Sequence, residues 1–479
     1  MTTVNGASTR TDFEALRAAL TTIVGPAGLL TSPEDLIAYG FDGTFFANAP
    51  PLVALPRTTT EVAAIHRLAT ERRIAITPRA MGSGLSGGAI PLEGSIVLGV
   101  ARMNAIREID TTNFVAVVEP GVINARLQAE VEKVGLFYPP DPSSLKQSAI
   151  GGNVAENAGG ARCLKYGVTG DYVLALEVVL PDGTIIRTGG KTVKNVTGYN
   201  LRALFTGAEG TLGTITEITL RLIPKPAIER TALVAFDRID DAARTVTAVL
   251  TAGVSPTAIE ILDSFTMRCV EENRPIGLPL EADAILIFGV DGNHEPAVRE
   301  ALDAIDRIAR EHGARSVTVA RNAVEAENLW AARRSISPAL ARRRPNKLGE
   351  DIAVPRSAIP EMIARCRSIA RTYRLEIPVF GHVGDGNLHP NILCDRRDRE
   401  EMLRVREAAR EIFEAAVELG GTLSGEHGIG ILKKQFMELS VGSDGLALMR
   451  RIKDAIDPLG IMNPGKVFPD SGGVDAFVL

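Results

Sequence analysis

The stretch Pro78-Arg79-Ala80-Met81-Gly82-Ser83-Gly84-Leu85-Ser86-Gly87-Gly88-Ala89 decides which fold the chain can adopt. Gly82, Gly84 and Gly87 fit GxGxxG, which in a dinucleotide-binding βαβ unit marks the turn from a strand into a helix. The pattern carries that meaning only when the helix comes at once, because its N-terminus must face the pyrophosphate. Here Ile74–Thr77 reads as the strand before the loop. After the loop come Ile90-Pro91-Leu92-Glu93-Gly94 and then a second strand, Ser95–Leu98. With no helix in place, a Rossmann fold is excluded. Glycines between two strands can still present successive backbone N–H groups to a phosphate. The bland alternative is a loop that only turns.

Working outward, glycine stays abundant as far as Gly213. Tyr138–Ser144 is a rigid proline turn. Gly151-Gly152-Asn153 and Ala158-Gly159-Gly160 flank Asn157, Tyr166-Gly167 comes next, and Gly207–Gly213 precedes the alternating strand Ile215–Leu222. So many small residues let backbone approach a large flat ligand from several sides. Upstream, residues 12–40 read as two short helices, the second opened by Ser32-Pro33-Glu34. Thr58–Glu61 reads as a capping box starting a helix. Pro224-Lys225-Pro226 closes the region. Beyond it strands and helices alternate, which predicts an α+β layer with a sheet covered on one face. Residues 322–344 read as one long helix and 396–419 as an amphipathic one.

The bulk composition narrows the class. A chain of 479 residues implies two or three domains. A net charge of −5 offers nothing to nucleic acid. Four scattered cysteines without a CxxC pair imply a reducing, cytoplasmic compartment. Neither a signal-peptide core nor a membrane-length apolar run is present.

The chemistry concentrates in Phe380–Asn391, FGHVGDGNLHPN. Asp385-Gly386 is a two-residue hairpin signal. Folding about it sets His382 opposite His389, with Cβ atoms about 5 Å apart. Ser424-Gly425-Glu426-His427-Gly428 supplies another carboxylate and imidazole. His382, His389 and Glu426 make three protein ligands with open positions, the pattern of catalytic Zn²⁺, and also suit Fe²⁺ or Mn²⁺. His427 is then the candidate general base, and Asn391 a hydrogen-bond partner for substrate. A metallohydrolase built on the same three ligands is the competing reading, and a non-catalytic subunit of an electron-transfer complex a third.

Together, Pro78–Pro91, Pro139–Gly160 and Gly198–Gly213 resemble the FAD domain of the vanillyl-alcohol-oxidase/PCMH flavoprotein superfamily. His382…His389, Glu426-His427 and Asn463-Pro464-Gly465-Lys466 resemble its D-2-hydroxyacid dehydrogenase branch. Lys347–Pro355 looks more like the D-lactate and glycolate members than the D-2-hydroxyglutarate ones. The resemblance implies an α+β fold: a helical segment at 1–50, a two-lobed FAD domain at 51–226, and a cap at 227–460 with an antiparallel sheet covered by helices. The tail, 461–479, would return to the flavin.

By resemblance, the flavin contacts fall on Pro78, Arg79, Gly82, Ser83, Gly84, Leu85, Ser86, Gly87, Pro140, Asp141, Gly152, Asn153, Asn157, Gly159, Gly160, Tyr166 and Gly167. Glu209, Gly210, Gly213, Ile215 and Asn463 complete the set. Ala80 and Ala208 depart from the Gly and Ser of many members. No histidine stands where some relatives attach flavin covalently, so the FAD is expected to be noncovalent. Resemblance also selects Arg333 as the carboxylate clamp, with Ser337 one turn on; a planar guanidinium suits that role. The implied reaction is oxidation of a small D-2-hydroxy acid. The implied acceptor is a quinone, a cytochrome, an electron-transfer flavoprotein or an iron–sulfur partner subunit. Homodimer formation and docking at the inner face of the membrane are further partners this reading admits.

Overall fold

The computed structural model describes residues 6–92 and 94–471, so the end of the expected tail, 472–479, lies outside the described residues. The chain builds three main sheets in succession. The first has four strands in the order Leu29–Leu30, Val53–Ala54, Ile96–Gly99, Ile76–Arg79. Its last three strands are parallel. Parallel neighbours need a crossover, and helix Thr59–Arg72 provides it, capped by the Thr58 side chain and closed by Arg73 in the left-handed region. The strand Ile76–Arg79 runs straight into the glycine loop.

The second sheet is antiparallel, ordered Ile106–Asp110, Val115–Val118, Thr214–Arg221, Val173–Val179, Ile185–Gly189. Against it lies a helix, Ile150–Glu156, where the glycine pair had suggested a loop. Its glycines are a packing requirement: a Cβ on Gly151 would overlap Pro120. Asn157, at φ 55°, ends the helix in the left-handed region.

The third sheet has eight strands and is antiparallel throughout. Its order begins Ala314–Val319, Ile228–Phe236, Ala284–Gly292, Ala258–Asp263, then Val379–His382, Asn387–Cys394, Asn346–Gly349. The expectation of one covered face is wrong. Helices 239–251, 295–311, 359–373 and 399–418 pack on one face, and helices 264–273, 323–334 and 336–343 on the other. The physical reason is visible in Ala284–Val290, a continuous apolar run buried at every position; only a strand covered on both faces reads that way. The single helix expected over 322–344 is two helices, Ala323–Arg334 and Ile336–Arg343, meeting at Ser335. Pro338 explains the break, since its ring would clash with the carbonyl four residues back.

The hairpin also differs in register. Phe380 lies opposite His389, and His382 opposite Asn387. The connection is therefore the four residues Val383–Gly386, not Asp385-Gly386 alone. A slip of two preserves the alternation of faces, so both histidines still share one side. The tail returns to the first sheet, where Asn463 N–H donates to Ile76 O and Ile76 N–H to Ile461 O. Gly386, at φ 89°, sits where a Cβ would overlap the Val354 carbonyl oxygen. Gly386→Ala is therefore expected to destabilise the protein by about 1–3 kcal/mol. A lower urea midpoint would show it; an unchanged one would remove the turn constraint.

Candidate active site

Where the glycine loop faces the third sheet, the two halves enclose a cavity of about 540 Å³. One wall is Pro78–Leu85, Gly151–Asn153, Glu156, Gly159 and Glu209–Gly210, with Gly213 and Ile215 beyond. The other is Arg333, Ser337, Lys347, Phe380, His389, Asn391, Glu426 and His427. Nineteen sequence-derived candidates thus border one space: Pro78, Arg79, Gly82, Ser83, Gly84, Leu85, Gly152, Asn153, Gly159, Glu209, Gly210, Gly213, Ile215, Arg333, Ser337, His389, Asn391, Glu426 and His427.

The other ten stand behind the wall. Ser86 accepts Ile431 and Leu432 N–H at its carbonyl, and Gly87 N–H donates to Asp42. Pro140 O receives the Asn124 and Gln128 amides. Asp141 accepts Arg162 N–H, and Gly160 packs so closely that a Cβ would lie 2.5 Å from Asp141 O. Asn157 Oδ1 accepts Gly170 N–H. The Tyr166 hydroxyl donates to Asp291 across the two halves, and Gly167 turns the chain after it at φ 82°. Asn463 Nδ2 ties Gly88 O to Glu209 O. His382 sits behind His389 and Glu426.

The cavity suits a cofactor rich in hydrogen-bonding groups. Asn153 Nδ2 and Ser148 Oγ, both buried at its wall, have no hydrogen-bond partner among the described residues. Buried polar groups rarely stay unpaired. Glu156 and Glu209 also face the cavity, and burial pushes both carboxyl groups above their usual range. A carboxyl held towards its neutral form repels an anionic cofactor less. Glu209 has a mechanical duty as well: its oxygens accept Ile429 and Gly430 N–H, which fastens the loop after His427 to the first half of the chain.

At the far end of the cavity the hairpin and the 424–428 loop converge. His382 Nε2 lies 3.3 Å and His389 Nε2 3.4 Å from Glu426 Oε1, and the two imidazoles are 5.2 Å apart at their centroids. Burial would raise the Glu426 pKa, but His382 and His389 together hold it well below the carboxylate range. Burial likewise opposes protonation of His382, and Glu260 and Glu426 outweigh it. His427 stacks on His389 with ring planes 10° apart. Burial lowers its pKa to about 4, offset only in part by Asp351, so the ring is a neutral proton acceptor at ordinary pH. Asn391 donates to His389 O and sits 3.5 Å from Lys347 Nζ.

Two buried acids escaped the sequence reading. Glu260 bonds His382 Nδ1 with one oxygen and Arg333 Nε with the other. It had a signal, being a charge between apolar residues in the middle of the buried strand Ala258–Asp263. Asp351 accepts Ser424 Oγ, Glu426 N–H and His427 N–H on one oxygen and Asn387 Nδ2 on the other. No local pattern marked it.

With this geometry in hand, comparison with known proteins is informative. Residues 50–189 match the family model described as FAD binding domain, and residues 225–467 the model described as FAD linked oxidases, C-terminal domain. The chain belongs to the FAD-linked oxidases and is a flavin-dependent oxidoreductase. It is 46% identical to glycolate oxidase subunit GlcD of Bacillus subtilis (strain 168), over 93% of this chain and 95% of that one. It is 35% identical to D-lactate dehydrogenase of Anaerostipes hadrus, over 88% and 90%. In fold it is similar to p-cresol methylhydroxylase, with a TM-score of 0.80 at 18% identity over 96% and 97% of the two chains.

Glu260→Ala would strand Arg333 and His382 in a buried setting. A loss of about 3–5 kcal/mol is expected, read from urea unfolding. A change under about 1 kcal/mol, the level of an exposed pair, would show that the carboxylate is dispensable.

Proposed function

We propose that the protein oxidises a small D-2-hydroxy acid, glycolate or D-lactate foremost, to the 2-oxo acid. The observation that carries this reading is the meeting of His427, the His382–His389–Glu426 triad and Arg333 at one end of the flavin cavity. FAD held along Pro78–Leu85 and Gly152–Asn153 would supply the acceptor for the hydride from C2. His382, His389 and Glu426 would hold a divalent cation, Zn²⁺ ahead of Fe²⁺ or Mn²⁺, which would supply Lewis-acid support for the substrate oxygen. The chain's own residues do the rest. His427 takes the hydroxyl proton as the C2–H bond breaks and the C=O bond forms. Arg333 holds the substrate carboxylate while Glu260 and the Phe380 ring, 5.1 Å below the guanidinium, keep it from swinging. Ser337, Lys347 and Asn391 complete the orientation.

Names of similar proteins support the class. Besides the two above, a protein of Stutzerimonas stutzeri named D-2-hydroxyglutarate dehydrogenase is 35% identical over 95% of this chain; that substrate is the second reading. Membership of the FAD-linked oxidases sets aside the metallohydrolase and weighs against a non-catalytic subunit. The electrons leave to a quinone, a cytochrome, an electron-transfer flavoprotein or an iron–sulfur partner subunit. Among the described residues no helix is long and apolar enough to cross a membrane.

Purified protein is expected to release free flavin on acid precipitation and to reduce a dye acceptor with D- but not L-2-hydroxy acids. Chelation should abolish the activity and leave flavin bound. Turnover of L-acids, or full turnover after metal removal, would overturn the mechanism. Arg333→Lys keeps a cation opposite Glu260 but loses the planar fork. KM should rise about tenfold, roughly 1.4 kcal/mol, at unchanged flavin content; an unchanged KM would remove Arg333 from the substrate site.

A further inference from the structure

Asp351 is fully buried and faces both imidazoles that the proposed chemistry needs. One carboxylate oxygen lies 3.7 Å from His389 Nδ1, the other 4.0 Å from His427 Nδ1. Among the described residues neither Nδ1 has a hydrogen-bond partner, and both are buried. On their opposite edges, His389 Nε2 is 3.4 Å and His427 Nε2 3.7 Å from Glu426 Oε1. Each ring therefore stands between two carboxylates, and the single N–H of a neutral ring can face only one of them.

Three observations decide the direction. First, Asp351 is anchored on several sides. Its Oδ2 accepts three donors from the 424–427 loop, its Oδ1 accepts Asn387 Nδ2, and the buried Lys433 ammonium lies 3.6 Å away. A carboxylate so held stays charged and stationary. Second, these partners leave it little capacity as a metal ligand, although Asp351, His389 and His427 come close enough to suggest one. Third, Glu426 accepts nothing from its own loop among the described residues and faces His382 and His389 from the cavity side. A histidine ligand commonly donates its second N–H to an outer carboxylate, which fixes ring orientation and tautomer.

We propose that Asp351 is the positioning residue of the site: it holds His389 and His427 in the tautomer with the proton on Nδ1, so that both Nε2 lone pairs point into the cavity. One lone pair then serves as ligand and the other as base. The inference rests on the functional reading above only for the roles of those lone pairs; the tautomers are set by the protein alone.

The direct test is ¹⁵N NMR of the holoprotein with labelled histidine rings, before and after chelation. Signals are assigned with His389→Gln and His427→Gln. Both rings should show a protonated Nδ1 after chelation, and His427 in both states. A proton on Nε2 of either ring in the chelated protein would overturn the proposal, whether or not any variant folds. In Asp351→Asn the half-saturating Zn²⁺ concentration of the chelated, flavin-loaded protein should rise about 10- to 100-fold, with mixed tautomers. A shift below about twofold, or a second equivalent of Zn²⁺ bound by the wild type, would also overturn it. If the wild type takes up no divalent cation, the metal-dependent reading above fails while the NMR result still decides the role of Asp351.

Discussion

The site depends on one carboxylate. Glu260 has no exposure to solvent, and its two oxygens reach in different directions, to His382 on the hairpin and to Arg333 at the end of a helix. Burying a charge is expensive unless it is paired and hydrogen-bonded on all sides. Arg333 and His382 meet that requirement, and in doing so they are fixed relative to each other. The residue that would hold the substrate carboxylate and a ligand that would hold its metal are therefore set by the same atom pair. Burial pushes the Glu260 carboxyl up, and the Arg333 and His382 charges bring it below its usual range.

A second constraint comes from the division of the chain. The glycine loop, the helix Ile150–Glu156 and the Glu209 turn come from the first half; Arg333, His427, Glu260 and Asp351 come from the second. Contacts stitch the halves at the cavity itself: Glu209 to Ile429 and Gly430, Asn463 to Gly88, and Lys165 with Tyr166 to Asp291. The loop 424–430 is thus held from two sides, by Asp351 of the second half and Glu209 of the first. A loop pinned in this way keeps its side chains within the narrow tolerance that catalysis requires.

Much of this was legible in the sequence, for definite reasons. The missing helix after Gly87 excludes a Rossmann fold by simple adjacency, and the period-2 alternation around Asp385-Gly386 sets both histidines on one face. Parity is robust, since a register slip of two leaves it unchanged; exact pairing is not, because the turn closes against Val354, far away in sequence. The helix at Ile150–Glu156 was hidden for the same kind of reason. Its glycines weaken it locally, and only close approaches from elsewhere in the chain explain them, Pro120 to Gly151 and Ala80 to Gly152. Asp351 and Glu260 act through partners 36 to 122 residues away, so no spacing rule could have found both.

The charge balance bears on what the triad holds. Glu260, Glu426 and Asp351 are buried within one neighbourhood, and Asp141 and Asp385 lie close enough to feel His382. Burial lifts the last two to about 6, above the ordinary carboxylate range. The first three stay ionised, because Arg333, Lys433 and the histidines oppose them. His427, its pKa near 4, adds no positive charge at ordinary pH. Protonating His382 is then the protein's own means of balancing Glu426. A dication bound at the Nε2 edge would replace that proton and leave His382 Nδ1–H donating to Glu260, the carboxylate–histidine–metal arrangement in which an outer acid stiffens the ligand. On the reading proposed above, the acid-rich construction around the hairpin would therefore suit a divalent cation, because without one His382 carries the balancing proton itself.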